Sequence, residues 1–298
     1  MLDGAYRGGS EVLSRLPLPA VRRMGRRGGR LAHRRWDERR GMAERHMARV
    51  LGGDADRIDD AARDAARAVF DRYGTYIAET LWLRRRHLDR VWQGMTLDGQ
   101  DHFDDAIAVG DGIILALPHV GNWEFAAVYP LLQGVRLVAV AEDLADEEMT
   151  AWFTKMRAEV GIEVELAGAT GLTRRLAGVL RDGGAVALVS DRDVSGTGIG
   201  VDFFGERTRM PAGPGALARV TGAPLLPVTC YIDDEGGHIA KALPPIEVPR
   251  TKDRAADTAE AVQRLAHAFE GLIRVDPTQW HLLQPQWPSD PGYRWGEP

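Results

Sequence analysis

The residues of this sequence best suited to chemistry are a histidine and a glutamate five positions apart, His119 and Glu124. An imidazole beside a carboxylate is the minimal equipment for general base catalysis on a hydroxyl group. In one continuous helix the two side chains would point roughly 140° apart, because each residue advances the helix by about 100°. They can converge only if His119 lies in a loop and Glu124 lies in the first turn of the next helix, where the helix dipole favours a carboxylate.

The flanking residues predict that arrangement. Residues 113–117 form a continuous apolar run, typical of a strand buried on both faces of a parallel sheet, and Pro118 ends the run because it has no N–H to donate. Asn122 is a suitable N-cap for a helix over about residues 123–132. His119 is therefore expected at the carboxyl end of a strand, where open α/β sheets bind ligands.

The rest of the chain alternates strand-like and helix-like segments. We predict an α/β fold with a mostly parallel central sheet flanked by helices on both faces, and with an N-terminal basic helical segment. A single domain is expected over residues 1–298, in which residues 1–95 form the helical, membrane-associating part and residues 96–298 the α/β core. Further strands are predicted at 135–141, 162–167, 185–190, 224–232 and 238–243, helices at 59–88, 146–160, 170–181, 214–222 and 257–275, and a short strand and turn within 97–112.

Carboxylates follow two more of the predicted strands. Glu142 follows one strand, and Asp191 and Asp193 follow another. Because the carboxyl ends of parallel strands meet at one edge of a sheet, these side chains should lie near His119. Arginines expected near the same edge are Arg157, Arg192, Arg207 and Arg209.

Four stretches carry a resemblance to a known family. The arrangement His-x4-Glu, from His119 to Glu124, is similar to the HX4(D/E) motif of membrane-associated glycerolipid and lipid A acyltransferases. Together the four resemble the lipid A lauroyl/myristoyl acyltransferase superfamily and, within it, the phosphatidylinositol mannoside acyltransferases of its actinobacterial branch, over roughly residues 5–290. The other three stretches are Asp191-Arg192-Asp193, FFGERTRMPAGP at 203–214 and WHLLQPQW at 280–287.

The resemblance implies a mechanism. His119 would take the proton of an acceptor hydroxyl, whose oxygen attacks the thioester of a long-chain, palmitoyl-like acyl-CoA. A carboxylate must hold the imidazole in place. The motif favours Glu124 for this role, whereas analogy with the mannoside branch favours Asp191 or Asp193, and the spacing does not decide among them. Backbone N–H groups near Asn122, or a nearby arginine, could stabilise the developing oxyanion.

The resemblance also implies the substrates. The acceptor would be a mannose hydroxyl of a phosphatidylinositol mannoside, and no cofactor is expected beyond acyl-CoA as co-substrate. Arginine suits the phosphates of such substrates because its planar fork pairs with two oxygens at once. The alternatives are a lipid A type transferase that uses acyl-ACP, a thioesterase and a catalytically dead lipid-binding protein. Residues expected to bind substrate are Glu142, Arg157, Arg192, Arg207 and Arg209.

Charge is unevenly distributed along the chain, whose formal net charge is −5. Arginines crowd residues 22–49, where the only acids are Asp37, Glu38 and Glu44, and apolar residues that include Trp36 are interleaved with them. Such a segment is expected to bind an anionic lipid surface, here as a peripheral protein on the cytoplasmic face of the inner membrane. A solvated helix face is the alternative. Nucleic acid is not expected as a partner, because no reading helix, RNP-type aromatic set or zinc spacing is present.

Other functions are disfavoured. The single cysteine, Cys230, excludes an intramolecular disulfide and fits a reducing compartment. No run reaches the ~18 apolar residues of a membrane span, and no signal peptide is expected. No second histidine stands at metal-ligand spacing from His119, so no metal is expected. The glycine-rich stretches 168–171 and 196–200 do not fit a P-loop or dinucleotide site, and the G-x-S-x-G motif is absent.

Overall fold

A seven-stranded sheet forms the centre of the molecule, as seen in a computed structural model that describes residues 2–142 and 146–294, with side chains from residue 8 onward. Neighbouring strands follow the order β1-β9-β8-β2-β5-β3-β4, and β6 and β7 form a separate hairpin. Strands β8, β2, β5, β3 and β4 are parallel, whereas β9 is antiparallel to β8 and β1 is parallel to β9. The predicted mostly parallel sheet is confirmed. The strands are β1 (Met95–Asp98), β2 (Ile113–Leu117), β3 (Leu137–Ala141), β4 (Ile162–Leu166), β5 (Ala185–Val189), β6 (Ile199–Phe203), β7 (Glu206–Met210), β8 (Leu225–Ile232) and β9 (His238–Ala242).

Strand β2 lies at the centre of the sheet, and all of its residues are buried. Ile114 and Ala116 belong to the hydrophobic cluster on one face, whereas Ile113, Leu115 and Leu117 belong to the cluster on the other face. This alternation is that of a pleated strand covered on both sides, which explains why its sequence is continuously apolar. The chain leaves the sheet directly after β2.

Helices cover both faces of the sheet, as predicted. One face is covered mainly by α3, α4, α10, α11 and α12, and the other by α6 to α9 with the beginning of α2. The predicted N-terminal helical segment, residues 1–95, contains α1 to α5. The helices are α1 (Leu2–Leu13), α2 (Leu18–Arg35), α3 (Asp37–Val50), α4 (Asp60–Trp82), α5 (Leu88–Gln93), α6 (Gln100–Ala108), α7 (Trp123–Ala126), α8 (Val128–Leu132), α9 (Glu147–Val160), α10 (Leu172–Arg181), α11 (Gly213–Thr221) and α12 (Arg254–Val275), with 3-10 turns at Arg85–His87 and Pro277–Gln279.

Three predicted segments differ clearly from the structure. The helix expected over 59–88 ends at Trp82, and the segment 97–112 contains helix α6 after its short strand. The helix expected over 123–132 is divided into α7 and α8. Pro130 explains the division, because it lacks the N–H that would bond to the carbonyl four residues earlier and its ring crowds that carbonyl.

The hairpin of β6 and β7 is an element that the sequence analysis did not predict. Glycines within 196–200 indicated a loop there, although β6 begins at Ile199. Phe204 and Gly205 connect the two strands with φ angles of 50° and 79°. Two successive residues with positive φ are what a tight two-residue hairpin turn requires.

Helix α2 packs against α4 at very short range. A Cβ atom added to Gly25 would lie 2.4 Å from the carbonyl oxygen of Gly74, and one added to Gly29 would lie 2.0 Å from the carbonyl oxygen of Phe70. Only glycine permits this approach of two helix backbones. Helices α2 and α4 therefore form one rigid pair.

Gly25→Ala should destabilise the protein by about 1–3 kcal/mol, because the added methyl group has to separate α2 from α4. Gly28→Ala on the same helix is the matched control, since no atom lies within 4 Å of the added carbon. At that exposed helical position alanine should stabilise by roughly 0.5–1 kcal/mol. Urea unfolding of the two variants measures both effects, and equal stabilities would contradict the proposed close contact.

Candidate active site

His119 and Asp191 form a direct side-chain pair at the carboxyl edge of the sheet. The Nδ1 atom of His119 lies 2.5 Å from Oδ1 of Asp191, and the backbone N–H of His119 donates to Oδ2 at 2.9 Å. Asp191 follows β5, which is the parallel neighbour of β2, so the two strand ends bring the residues side by side. Of the three carboxylates that the sequence left open as partners of His119, the structure places Asp191 against the ring.

Asp191 is fully buried, and two residues near the end of the described chain hold it in place. The indole N–H of Trp280 donates to Oδ2 at 2.8 Å, and the side-chain amide of Gln286 donates to the Asp191 carbonyl at 2.9 Å. Burial alone would raise the pKa of Asp191, but the contacts with His119 and Trp280 hold it below its ordinary value. The carboxylate is therefore ionised at neutral pH, which fixes the proton on Nδ1 of His119 and leaves Nε2 available as a base.

The loop between β2 and α7 uses its backbone N–H groups for its own structure. The N–H of Gly121 donates to the carbonyl of Gln279, and that of Asn122 donates to the carbonyl of Cys230. Gly121 has a φ of 65°, and a Cβ there would lie 2.0 Å from the Cys230 oxygen. The side chain of Asn122 caps α7 by accepting from the N–H of Phe125, as predicted. The Asn122 N–H is therefore not free for the oxyanion role that the sequence analysis allowed it.

Glu124 pairs with Arg157 and not with His119. The Nη2 atom of Arg157 lies 2.5 Å from Oε1 of Glu124, and its Nε lies 3.1 Å from both carboxylate oxygens. Burial alone would lower the pKa of Arg157, but the contact with Glu124 raises it above its ordinary value. This corrects the expectation that Glu124 could orient the histidine. The ion pair instead fixes α7 against α9 beside the site.

Asp193 also serves another purpose than holding His119. Its carboxylate accepts hydrogen bonds from the backbone N–H groups of Ser195, at 2.9 Å, and Gly198, at 2.7 Å. Such bonds to the backbone two to five residues ahead fix the conformation of a loop. Asp193 therefore shapes the segment that leads into β6, which corrects its expected role as an orienting acid.

Glu142 and Arg192 lie at the same sheet edge as His119. They form an ion pair with Nη2 of Arg192 2.7 Å from Oε2 of Glu142. Within the described residues, the Nε atom of Arg192 and the hydroxyl of Ser190 are buried and have no hydrogen-bond partner. The Ser190 hydroxyl and the Nε–H group of Arg192 are thus donors that the fold itself leaves unused.

Arg207 and Arg209 occupy β7, in the hairpin that follows Asp193. Arg207 is exposed at 3.5 Å from Asp202, and Arg209 donates to the carbonyl of Gly198 at 3.0 Å. Neither is among the described residues that line the cavity beside His119. The expectation that they bind substrate there is not met, because strand β7 carries both of them onto the separate hairpin.

A cavity of about 810 Å³ lies beside His119, and residues of the hydrophobic clusters on both faces of the sheet line it. Trp123, Glu142, Arg157 and Arg192 lie along its opening, whereas its far end reaches β1 and the beginning of α6. The sheet provides small side chains beneath the covering helices, which leaves an apolar channel. Apolar residues of the sheet that line the channel include Leu115, Leu117, Ala139, Ala187, Val228 and Ala240.

Several residues that surround the His119–Asp191 pair had no individual role predicted from the sequence. Trp280 and Gln286 were visible only as part of the WHLLQPQW motif. The ring of His281 lies 5.5 Å from that of Tyr76 and 6.3 Å from that of Trp123. Burial and the nearby His119 lower the pKa of His281 to about 3, so this second histidine is neutral and is not an additional base.

Across residues 2–142 and 146–294, no group of three or more histidine, cysteine or acidic side chains is arranged to hold a metal ion. In the same ranges, no helix combines the length and the apolar character that crossing a membrane requires.

The chain is similar to known proteins over most of its length. The family model described as bacterial lipid A biosynthesis acyltransferase matches residues 2–289. A phosphatidylinositol mannoside acyltransferase of Mycobacterium tuberculosis is 35% identical over 294 residues, which cover 97% of this chain and 89% of the relative. One from Mycolicibacterium smegmatis is 36% identical over 250 residues, which cover 83% of this chain and 79% of the relative.

Asp191→Asn should lower kcat for acyl transfer by about 10²–10⁴-fold, because it removes the charge that fixes the His119 tautomer and stabilises the imidazolium. Glu124→Gln and Asp193→Asn are the comparison variants, since their carboxylates contact Arg157 and the loop before β6. Their kcat should fall less. Folded protein is verified by circular dichroism, and a folded Glu124→Gln variant with a loss equal to that of Asp191→Asn would refute the assignment.

Proposed function

This chain belongs to the bacterial lipid A biosynthesis acyltransferase family and is an acyltransferase, and on that premise we propose its substrates and mechanism. It transfers a long-chain acyl group from acyl-CoA to a mannose hydroxyl of a phosphatidylinositol mannoside at a membrane surface. The observation that carries the proposal is the His119–Asp191 pair at the opening of an apolar channel. A base that is held in one tautomer beside such a channel suits the acylation of a hydroxyl group.

The channel holds the acyl chain. Its lining is apolar along the sheet, so a hydrocarbon chain gains free energy by leaving water as it enters. The far end lies beside Leu97 and Gly99, where the ion pair of Asp98 and Lys241 stands at the sheet edge. A chain that fills this space places its thioester at the opening, next to Nε2 of His119.

The reaction uses His119 as base and then as acid. Nε2 takes the proton of the acceptor hydroxyl while the oxygen attacks the thioester carbon, and the C–O bond forms. When the tetrahedral intermediate collapses, the C–S bond breaks and the imidazolium returns the proton to the thiolate of CoA. Asp191 stabilises the imidazolium throughout, because its ionised carboxylate contacts Nδ1. The products are an ester and free CoA.

Ser190 and Arg192 supply donors for the oxygen that becomes negative. Both line the cavity, and both carry a buried donor without a partner among the described residues. They flank Asp191 in sequence, so the strand that positions the carboxylate partner of the base, β5, also positions these donors. Preorganised donors of this kind stabilise the charge that develops in the transition state.

The acceptor is inferred from the relatives. Two curated relatives that this chain covers over most of their length are named phosphatidylinositol mannoside acyltransferases. A sugar hydroxyl is polar and reaches His119 from the open side of the cavity, where Glu142 and Arg192 lie. The Glu142 carboxylate can accept a hydrogen bond from a sugar hydroxyl, and Arg192 can donate to hydroxyl and phosphate oxygens of such a head group.

The reaction is tested by CoA release from palmitoyl-CoA, with and without phosphatidylinositol mannosides, with the lipid product followed by mass spectrometry. The wild-type protein should release CoA in proportion to an acceptor that gains one acyl chain. His119→Ala should lower this rate by about 10²–10⁴-fold, because it removes the general base.

Each other outcome would overturn a named part of the proposal. CoA release that does not depend on the acceptor would identify a thioesterase. Transfer from acyl-ACP but not from acyl-CoA would overturn the donor, and transfer to a lipid A precursor alone would overturn the acceptor. A folded protein that binds the lipids but transfers nothing from either donor would be a lipid-binding protein.

The membrane surface is bound by the exposed face of α2. Part of the arginine-rich segment is occupied within the protein, since Arg22 pairs with Glu79 and Arg30 pairs with Asp71. Arg23, Arg27 and Arg34 are exposed on α2. Arginines interleaved with accessible apolar side chains suit an anionic lipid interface. Exposed apolar residues in this part of the chain are Met24, Leu31 and Trp36.

Arg23→Gln, Arg27→Gln and Arg34→Gln combined should weaken binding to vesicles that contain anionic lipid by about 100-fold at low salt, because each charge contributes about 1 kcal/mol. The matched control replaces Arg181, Arg254 and Arg274, which are exposed arginines on other helices. Co-sedimentation with vesicles measures the binding, and the difference between the two triple variants should shrink as salt is raised. Equal binding by both would show that α2 presents a solvated face.

A further inference from the structure

A fully buried carboxylate, Glu79 of α4, lies behind the loop that carries His119. Its Oε1 accepts from Nε of Arg22 at 2.5 Å, and its Oε2 accepts from the amide of Asn122 at 2.8 Å. Nε2 of His238 lies 3.1 Å from the same Oε2. Three separate parts of the chain, namely α2, the loop after β2, and the beginning of β9, thus meet at one side chain.

The burial of this charge requires an explanation. Taking a carboxylate out of water costs several kcal/mol, and an ion pair in the interior repays this only when the geometry is good and the remaining lone pairs are bonded. Burial alone would raise the pKa of Glu79, but His238, Arg22 and Asn122 hold it below its ordinary value. An apolar residue of similar size could give a stable contact without that cost. The buried Glu79 is therefore explained better by the side chains that it positions than by a gain in stability.

Asn122 is the member of this cluster that reaches the active site. Its side chain donates to Glu79 and accepts from the N–H of Phe125, so that it fixes the first turn of α7. Its position is three residues after His119 and two before Glu124. A shift of Asn122 would therefore move both the base and the ion pair beside it.

Arg22 connects the Glu79 cluster to α2, the helix that carries the exposed arginines. It is buried on α2, whereas Arg23 and Arg27 on that helix are exposed. Because Gly25 and Gly29 let α2 lie directly on α4, the helix cannot move relative to Glu79 without opening this contact. The cluster therefore joins helix α2 to the loop that carries His119.

We propose that Glu79 is a positioning residue for acyl transfer, which acts by holding the Asn122 side chain and thereby sets His119 in register with helix α2. The inference rests on the proposed function only in taking His119 as the base. Glu79 does not line the cavity within the described residues, so it affects turnover and not the binding of the acyl chain.

Glu79→Gln is the first test. It should lower kcat on the order of 10–100-fold, because a small displacement of a base is costly, while the KM for acyl-CoA changes less than about twofold. Asp257→Asn is the matched control, since Asp257 is also a buried carboxylate paired with an arginine, Arg219, and it lies on α12. The control should lose stability without losing kcat per folded molecule.

A double-mutant cycle separates positioning from a general loss of stability. Asn122→Ser keeps an N-cap for α7 and removes the amide that bonds to Glu79. If Glu79 acts through Asn122, the double variant should lose no more kcat than the more severe of the two single variants. If the fold-losses in kcat of the two single variants multiply in the double variant, the proposal is overturned. Should Glu79→Gln fail to fold, His238→Asn, which contacts the same oxygen, replaces it in the cycle.

The outcomes distinguish this inference from the proposed function. If the wild-type protein transfers acyl groups and His119→Ala abolishes transfer while Glu79→Gln keeps full kcat, Glu79 has only a structural role. If His119→Ala retains its rate, the proposed base is wrong. An effect of Glu79→Gln on KM alone would contradict the inference and point to a role in binding.

Discussion

The buried carboxylate of Asp191 is the interaction on which the active site depends. It receives hydrogen bonds from the backbone and the ring of His119 and from the indole of Trp280. The cost of burying the charge is offset only while all of these donors remain in place. The parallel pairing of β2 with β5, the sharp turn at Gly121 and the position of Trp280 are therefore all linked to one charge.

The sheet could be predicted because its strands carry a strong local signal. The buried run of β2, the Asn122 cap and the alternation of strands with helices after residue 135 are all visible in the sequence. The hairpin of β6 and β7 could not be predicted in the same way. One of its strands begins among glycines and the other is mostly polar, so the pattern resembled a loop, and β6 packs against the distant helix α12.

The choice of partner for His119 shows where sequence reasoning reached its limit. The spacing brought Glu124 close to His119 along the chain, but Arg157 from a helix more than thirty residues away takes both of its oxygens. Asp191 was among the candidates because strand ends meet at one edge. Asp191 is the partner because its side chain points at the His119 ring and is held there by the indole of Trp280. Neither of these contacts produces a periodic pattern in the sequence.

Because Trp280 and Gln286 hold Asp191, the order of synthesis determines when the site can form. Strands β2 and β5 leave the ribosome long before residues 280–286 have been made, so the early chain has His119 and Asp191 but lacks the donors that stabilise the buried charge. Asp290, which contacts His46 and Arg49 of α3, then fastens this last segment to the beginning of the molecule. The hydrogen bonds around Asp191 are consequently completed only when residues 280–290 have folded back over the sheet.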